Sequence, residues 1–274
     1  MSGRRQPAAS TSYLTRAARI ARLVLHLVRG LAIAAWAFPR ITEARRRAHV
    51  RRWSRQLLHI LAIRLHVVHR EGRARPRRAM LVANHVSWVD IFVIDAVMPA
   101  RFVAKSEVAR WPLAGWLATR AGTLYVQRAR RHDTARINRD MHAALARGER
   151  VAVFPEGTTS DGTRLLRFHS SLLEPAMQGG VPLLPVALSY RRPEGSICTE
   201  LAYDGHWTLW DTVRRMVCVP RIDCRLTILP PLVDHGHRRE LARAAHDAIA
   251  QVLDLPPVTH THTGTPADRR AAAR

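Results

Sequence analysis

From residue 79 onward, short apolar runs alternate with segments whose apolar residues recur every three or four positions. The runs 79–83, 101–104, 123–127, 150–154, 183–189 and 223–229 have the length and apolar content of buried strands. Between and after them the spacing predicts helices over 88–97, 112–121, 134–147, 170–178, 209–216 and 238–253. Thr134 to Arg147 shows the period most clearly, with Ile137, Met141, Ala144 and Leu145 on one face. Strand and helix alternating in this way predict a single layered α/β domain. Pro182 and Pro185 predict that the strand after Gly180 starts late or lies at an edge, because proline has no N–H to give a ladder.

Ahead of this alternation the pattern changes. Leu23 to Phe38 is an apolar run of 16 residues that carries His26 and Arg29. As a helix it is about 24 Å long against a hydrocarbon core of about 30 Å, which disfavours a clean membrane span. Ala44 to Val68 opens with Arg45, Arg46, Arg47, Arg51, Arg52 and Arg55 and continues with Leu57, Leu58, Ile60, Leu61, Ile63 and Leu65. The two segments predict an amphipathic helix pair in the membrane interface, its arginines toward anionic head groups and its leucines with Trp36 or Trp53 in the acyl boundary. The bland alternative is an amphipathic pair packed on the α/β domain.

The expected organisation is a disordered start (1–12), a membrane-associating helical segment (13–72), the α/β domain (73–255) and a disordered tail (256–274) without apolar periodicity. Arg16, Arg19 and Arg22 precede the apolar run, but no small-x-small site follows before the Arg45 cluster, so no cleavable signal is expected. Basic residues on both flanks predict the cytoplasmic face of the inner membrane, with peripheral attachment or one marginal span.

Charge sharpens this picture. Lysine and arginine number 44 against 21 acidic residues, a formal net charge of +23, and Lys105 is the single lysine. Such an excess points to nucleic acid, an anionic membrane or acidic ligands. Aromatics are only 6% of the chain, no zinc-finger spacing or RNA-recognition motif occurs, and the arginines border apolar runs, which count against nucleic acid. Cys198, Cys218 and Cys224 form neither a disulfide framework nor a metal set, and no metal or bound cofactor is expected.

The stretch with most chemistry is Asn84-His85-Val86-Ser87-Trp88-Val89-Asp90, at the exit of the first predicted strand of the α/β domain. Ser87 is placed to cap the next helix, and Asp90 in its first turn to fold back on the imidazole of His85. A neutral His85 then accepts a hydroxyl proton while Asp90 fixes the ring tautomer and stabilises the imidazolium. On spacing alone a satisfied surface pair is the commoner outcome. No cysteine lies in a motif, and Ser87 lacks the Gly-x-Ser-x-Gly elbow of hydrolases, so direct attack by a substrate hydroxyl is expected in place of a covalent acyl-enzyme.

Three further blocks follow in order: Phe102-Val103-Ala104-Lys105-Ser106-Glu107, leading through Trp111-Pro112-Leu113-Ala114-Gly115 to Gly122-Thr123-Leu124-Tyr125-Val126-Gln127-Arg128; Phe154-Pro155-Glu156-Gly157-Thr158-Thr159; and Val181-Pro182-Leu183-Leu184-Pro185-Val186. With the His-x4-Asp pair, this series over residues 75–192 closely resembles the glycerolipid acyltransferase family typified by 1-acylglycerol-3-phosphate acyltransferases. The resemblance implies transfer of a fatty acyl group from a thioester, acyl-CoA or acyl carrier protein, to a lysolipid hydroxyl. His85 is then the base and Asp90 its partner. Residues matching Lys105 and Arg128 are associated in the family with the acceptor phosphate, and Glu156, Gly157 and Thr158 lie in its third block. The commonest third block reads Glu-Gly-Thr-Arg, and here Thr159 replaces that arginine. A hydroxyl does not substitute for a charged, bidentate fork on a phosphate monoester. Either Arg164 or Arg167 supplies the charge for 1-acylglycerol-3-phosphate, or the acceptor is lyso-ornithine lipid or another lysophospholipid. Backbone amides near Gly157 and Gly162 are the expected oxyanion donors. A non-catalytic membrane-bound relative is the alternative of another class.

Overall fold

The computed structural model describes residues 10–70, 76, 78–127, 131–203, 207–233, 236–253 and 255. In chain order its elements are α1 (Tyr13–Ala32), α2 (Glu43–Ile60), β1 (Ile63–His69), β2 (Ala79–Ala83), α3 (Val89–Asp95), β3 (Arg101–Lys105), α4 (Ala114–Arg120), β4 (Leu124–Val126), α5 (Arg131–Ala146), β5 (Arg150–Val153), α6 (Glu174–Gln178), β6 (Leu183–Arg191), α7 (Leu209–Met216), β7 (Ile222–Ile228) and α8 (Arg238–Leu253). The strands form one seven-stranded sheet in the order β1-β7-β6-β2-β5-β3-β4. From β6 to β4 every neighbouring pair is parallel, whereas β7 runs antiparallel to β6 and β1 parallel to β7.

The central strands explain why the sequence reads as unbroken apolar runs. All five residues of β2 are buried. Ala79, Leu81 and Ala83 pack on one side with residues of α2, α3 and α7, and Met80 and Val82 pack on the other with α5, α6 and α8. A strand covered on both faces has no polar side to show. The apolar face expected on α5 is buried as a unit, since Ile137, Met141, Ala144 and Leu145 are all fully covered.

Two expectations are corrected, and of the two alternatives offered for the proline-bearing strand the late start is the one that holds. The segment 44–68 is not one helix: α2 stops at Ile60, Ala62 turns the chain at a positive φ of 56°, and β1 pairs along its length with β7. The sheet therefore starts ahead of residue 73. The alternation of Ile63, Leu65 and Val67 with Arg64 and His66 suits an edge strand that is half wet. Next, β6 starts late, at Leu183, but lies in the sheet interior between β7 and β2. Pro185 is accommodated because the ladder slips there: Val186 faces Ile228 while Leu183 faces Leu232, which leaves one extra residue on the facing chain. Finally, the expected disordered start ends sooner than residue 12. Thr11 donates its N–H to the Cys218 carbonyl (3.1 Å) and its hydroxyl to that of Val217 (2.8 Å), and Ser12 caps α1. The rest of that start (1–9) and the tail from 256 lie outside the described residues.

The helical run begun by α1 continues through a wide turn at Ile33–Ala37 and a tighter one at Phe38–Arg40, where Pro39 ends it. At 28 residues, Tyr13–Arg40 is long and apolar enough to cross a bilayer by length and composition. This apolar N-terminal helix suggests membrane association. Its union with α2 depends on Gly30, where a Cβ would lie 2.6 Å from Trp53 Nε1. That clearance lets His26 stack on Trp53, with ring centroids 4.4 Å apart, and lets the two residues exchange hydrogen bonds through Trp53 Nε1 to the His26 carbonyl (3.2 Å) and His26 Nε2 to the Trp53 carbonyl (3.0 Å).

Candidate active site

Parallel pairing sets the carboxyl ends of β2, β3, β4, β5 and β6 along one edge of the sheet, where open α/β sheets take their ligands. His85 follows β2, Glu156 follows β5, and Lys105 ends β3 in register with Val126 of β4. Topology thus brings the first three sequence blocks to one rim. Arg128 lies outside the described residues.

At the centre, His85 Nδ1 is 2.8 Å from Asp90 Oδ2. The same oxygen accepts the backbone N–H of Val86 (2.7 Å) and of Ser87 (2.9 Å), and Oδ1 accepts the hydroxyl of Tyr190. Asp90 is completely buried. Four donors converging on one carboxylate offset the cost of burying it. Because Oδ2 accepts, Nδ1 is the donor of this pair, which leaves Nε2 as the ring nitrogen not bound to Asp90.

Ser87 behaves differently from expectation. Its hydroxyl is buried without a hydrogen-bond partner, and the turn is closed by Asp90, whose side chain reaches back to the Val86 and Ser87 amides. Asn84 continues β2 with its side chain, donating Nδ2 to the Leu188 carbonyl (2.9 Å) and accepting the Leu188 N–H at Oδ1 (2.8 Å). This pair of hydrogen bonds to β6 fixes the backbone immediately before the histidine.

The third block holds the other side of the turn. Glu156, only 4% exposed, accepts the N–H of His85 at Oε1 (2.7 Å) and that of Leu166 at Oε2 (3.0 Å). Both oxygens of Glu156 are engaged by backbone N–H groups, and through them it holds the His85 turn. Burial pushes its carboxyl up to about 8; the bonds from His85 and Leu166 oppose the rise and the Asp90 charge adds to it. The His85 ring lies flat on Phe154, with centroids 3.9 Å apart and planes 9° apart. The His85 carbonyl accepts the N–H of Ser160 (2.8 Å), tying the block to the base once more.

Gly157 turns the chain at φ 75°, which glycine adopts without strain, and spends its N–H on the Phe154 carbonyl (3.0 Å). The Gly162 N–H is likewise used, by Ser160 Oγ (3.3 Å). Neither amide is thus spare for an oxyanion in this conformation. Thr158 is exposed. Thr159 donates its hydroxyl to the Tyr203 carbonyl and so anchors the 203 segment. Lys105 and Arg164 are exposed. Arg164 is close enough to Asp161 to act on it: burial raises that carboxyl, but hydrogen bonds from Thr163 and the Arg164 charge outweigh it and leave it below its usual range.

Tyr190 and Asn84 are site residues that sequence reasoning missed. Tyr190 falls in an apolar strand, and the one available signal was general: a buried tyrosine hydroxyl needs a partner. Burial pushes the Cys198 thiol up to about 12 and that of Cys224 well above its ordinary range, so both are protonated at neutral pH. Among the described residues no group of three or more His, Cys, Asp or Glu side chains is arranged to hold a metal ion.

A histidine held by a buried carboxylate at the carboxyl edge of a mixed α/β sheet accompanies a match to a known class. The family model described as Acyltransferase matches residues 64–189. A lyso-ornithine lipid O-acyltransferase of Pseudomonas aeruginosa is 39% identical over 244 residues, covering 86% of this chain and 92% of that protein. A 1-acyl-sn-glycerol-3-phosphate acyltransferase of Neisseria meningitidis serogroup B is 37% identical over 192 residues, covering 70% and 74%. The chain belongs to the acyltransferase family and is an acyltransferase. Its fold is also that of the 1-acyl-sn-glycerophosphate acyltransferase PlsC from Thermotoga maritima, with a TM-score of 0.69 over 88% of this chain and 94% of that one at 22% identity.

Proposed function

We propose that the chain moves a fatty acyl group from an acyl thioester, acyl-CoA or acyl carrier protein, to the free hydroxyl of a lysolipid, with lyso-ornithine lipid as the acceptor. The observation that carries the reaction is the Asp90 carboxylate on His85 Nδ1, which leaves Nε2 as the base. His85 Nε2 takes the hydroxyl proton as the oxygen attacks the thioester carbonyl. The tetrahedral intermediate then expels the thiolate, the imidazolium returns the proton to sulfur, and an ester remains. A thioester is already activated, so the step needs no covalent enzyme intermediate.

The acceptor is argued from Thr159. The fork that would grip a phosphate monoester is absent at this position, and the hydroxyl in its place is engaged with Tyr203. The Pseudomonas relative, matched over 92% of its length, bears the name of a lyso-ornithine lipid enzyme. A second reading, 1-acylglycerol-3-phosphate as acceptor and phosphatidic acid as product, is favoured by exposed Lys105 at the sheet edge and by the name of the Neisseria relative. In either case α1 and α2 hold the enzyme to the cytoplasmic face of the inner membrane, peripherally or through one span.

The test offers one labelled acyl thioester to detergent-solubilised wild type and His85→Ala with lyso-ornithine lipid, lysophosphatidate and a lysophospholipid in parallel. Product from lyso-ornithine lipid, lost in folded His85→Ala, supports the proposal. Product from lysophosphatidate instead favours the second reading. No His85-dependent product from any acceptor, with both donors tried, overturns acyl transfer by this base.

A further inference from the structure

Between them, α1 and α2 form a groove of about 710 Å³. Arg22 and Arg29 enter it from α1, and Arg51, Arg52, Arg55 and His59 from α2. Among the described residues no carboxylate lines it. Among the described residues Arg22, Arg29 and Arg52 make no ion pair, and Glu43, the acidic side chain of α2, is engaged by Arg46 and Arg47 outside the groove. Gathering these cations in one concavity costs repulsion that an anion would relieve.

The geometry points to a built site: we propose that this groove binds the phosphate head group of an anionic phospholipid of the membrane on which the enzyme sits. Guanidinium groups converging from two helices suit a tetrahedral anion with several acceptor oxygens. The lipid is favoured over other phosphate carriers by what borders the arginines. Leu25 lines the groove while 70% exposed, and Val24 and Val28 beside it on α1 are 55% and 56% exposed. A ligand with phosphate and acyl chains uses both surfaces at once, whereas a soluble phosphate uses one. The two walls are held in register by the Trp53–His26 hydrogen bonds and by Gly30, so the cations are preorganised. Arg55 is oriented by donating Nε to the Ala96 carbonyl at the end of α3 (2.9 Å).

This inference rests on membrane association through α1 and α2, and the experiment separates the two. Full-length protein is floated with vesicles of phosphatidylcholine alone, with added phosphatidylglycerol, and with added oleate at matched surface charge. It is also titrated with soluble glycerol phosphate. Wild type, Arg29→Gln/Arg52→Gln and the off-groove control Arg45→Gln/Arg47→Gln are compared, each shown folded by its thermal transition. Near an anionic surface each basic residue is worth about 1 kcal/mol, or about fivefold in binding. That diffuse effect caps the loss in the control at roughly 25-fold, whereas the groove variant also gives up charge-assisted hydrogen bonds to phosphate and is expected to lose about 100-fold or more on phosphatidylglycerol vesicles, with wild type preferring phosphatidylglycerol to oleate. Equal losses in both variants, or no preference for phosphatidylglycerol over oleate, overturn the site in favour of diffuse charge. Glycerol phosphate binding as tight as the lipid overturns the lipid assignment. Failure to float with any vesicle refutes membrane association itself.

Discussion

Tyr190, near the end of β6, donates its hydroxyl to Asp90 in the first turn of α3, and both side chains are buried. Burial, and then the charge on Asp90, hold the phenol well above its ordinary range, so it remains a donor at any working pH. Tyr190 therefore fixes the carboxylate oxygen that His85 does not use and so sets the plane of the one it does. Tyr190→Phe removes this bond while keeping the ring. A hydrogen bond to a charged group is worth about 1.5–3 kcal/mol, so kcat is expected to fall by one to two orders of magnitude with KM little changed. Steady-state kinetics on the phenylalanine variant decide it, and an unchanged kcat would show that Val86 and Ser87 alone suffice to hold Asp90.

Asp90→Asn tests the carboxylate itself. An amide oxygen still accepts from one neighbour, but the amide NH2 then faces donors: either the Val86 and Ser87 amides or the Tyr190 hydroxyl. If the NH2 turns toward the imidazole, the proton is driven to Nε2 and the base is lost. Activity should drop by about 10³–10⁴, and the unfolding transition should also move down, because a buried donor has lost its acceptor. An asparagine enzyme within tenfold of wild type would rule out the orienting role.

Glu156→Gln separates positioning from substrate binding. Glutamine retains one acceptor oxygen for two backbone N–H groups, so either His85 or Leu166 loses its partner. The expected cost is roughly 1–3 kcal/mol of stability. Displacement of the His85 turn should lower kcat by up to about 10²-fold. If Glu156 gripped the acceptor instead, KM would rise with stability unchanged, a pattern that denaturation and kinetics on one preparation distinguish.

Much of this was legible beforehand because local signals and tertiary structure agreed. The strand at 79–83 and the helices at 209–216 and 238–253 occur where periodicity put them, since each is long or apolar enough to fix its own limits. The His85–Asp90 contact was legible because both partners sit in one turn. What was missed depends on distant pairing. Tyr190 reaches Asp90, and Asn84 reaches Leu188, through the adjacency of β2 and β6, which no local pattern encodes. The strand at 63–69 was absorbed into a helix because the leucines of α2 run into it without a proline or glycine, and only pairing with β7 separates them. Glu156 was placed in the site, yet its service to backbone became visible only when β5 and β2 lay side by side.

Asp95 supplies a pH dependence unrelated to catalysis. It is buried at the end of α3, and its Oδ1 accepts the Ala100 N–H (3.1 Å). Burial raises its carboxyl from 3.8 to about 8, against the smaller opposing effect of that bond. The folded protein thus holds this proton more tightly than the unfolded chain. The associated stability is complete below about pH 4 and is lost as pH rises through about 8. In Asp95→Asn the amide oxygen still accepts from Ala100 and nothing ionises. Urea unfolding across this range should show the variant gaining on wild type by up to about 1.4 kcal/mol per pH unit, levelling off above the folded value. Glu156, raised in the same direction, is present in both proteins and cancels in the difference. Parallel stability curves for the two proteins would mean that Asp95 ionises in the fold as readily as in water, through solvent access that its burial argues against.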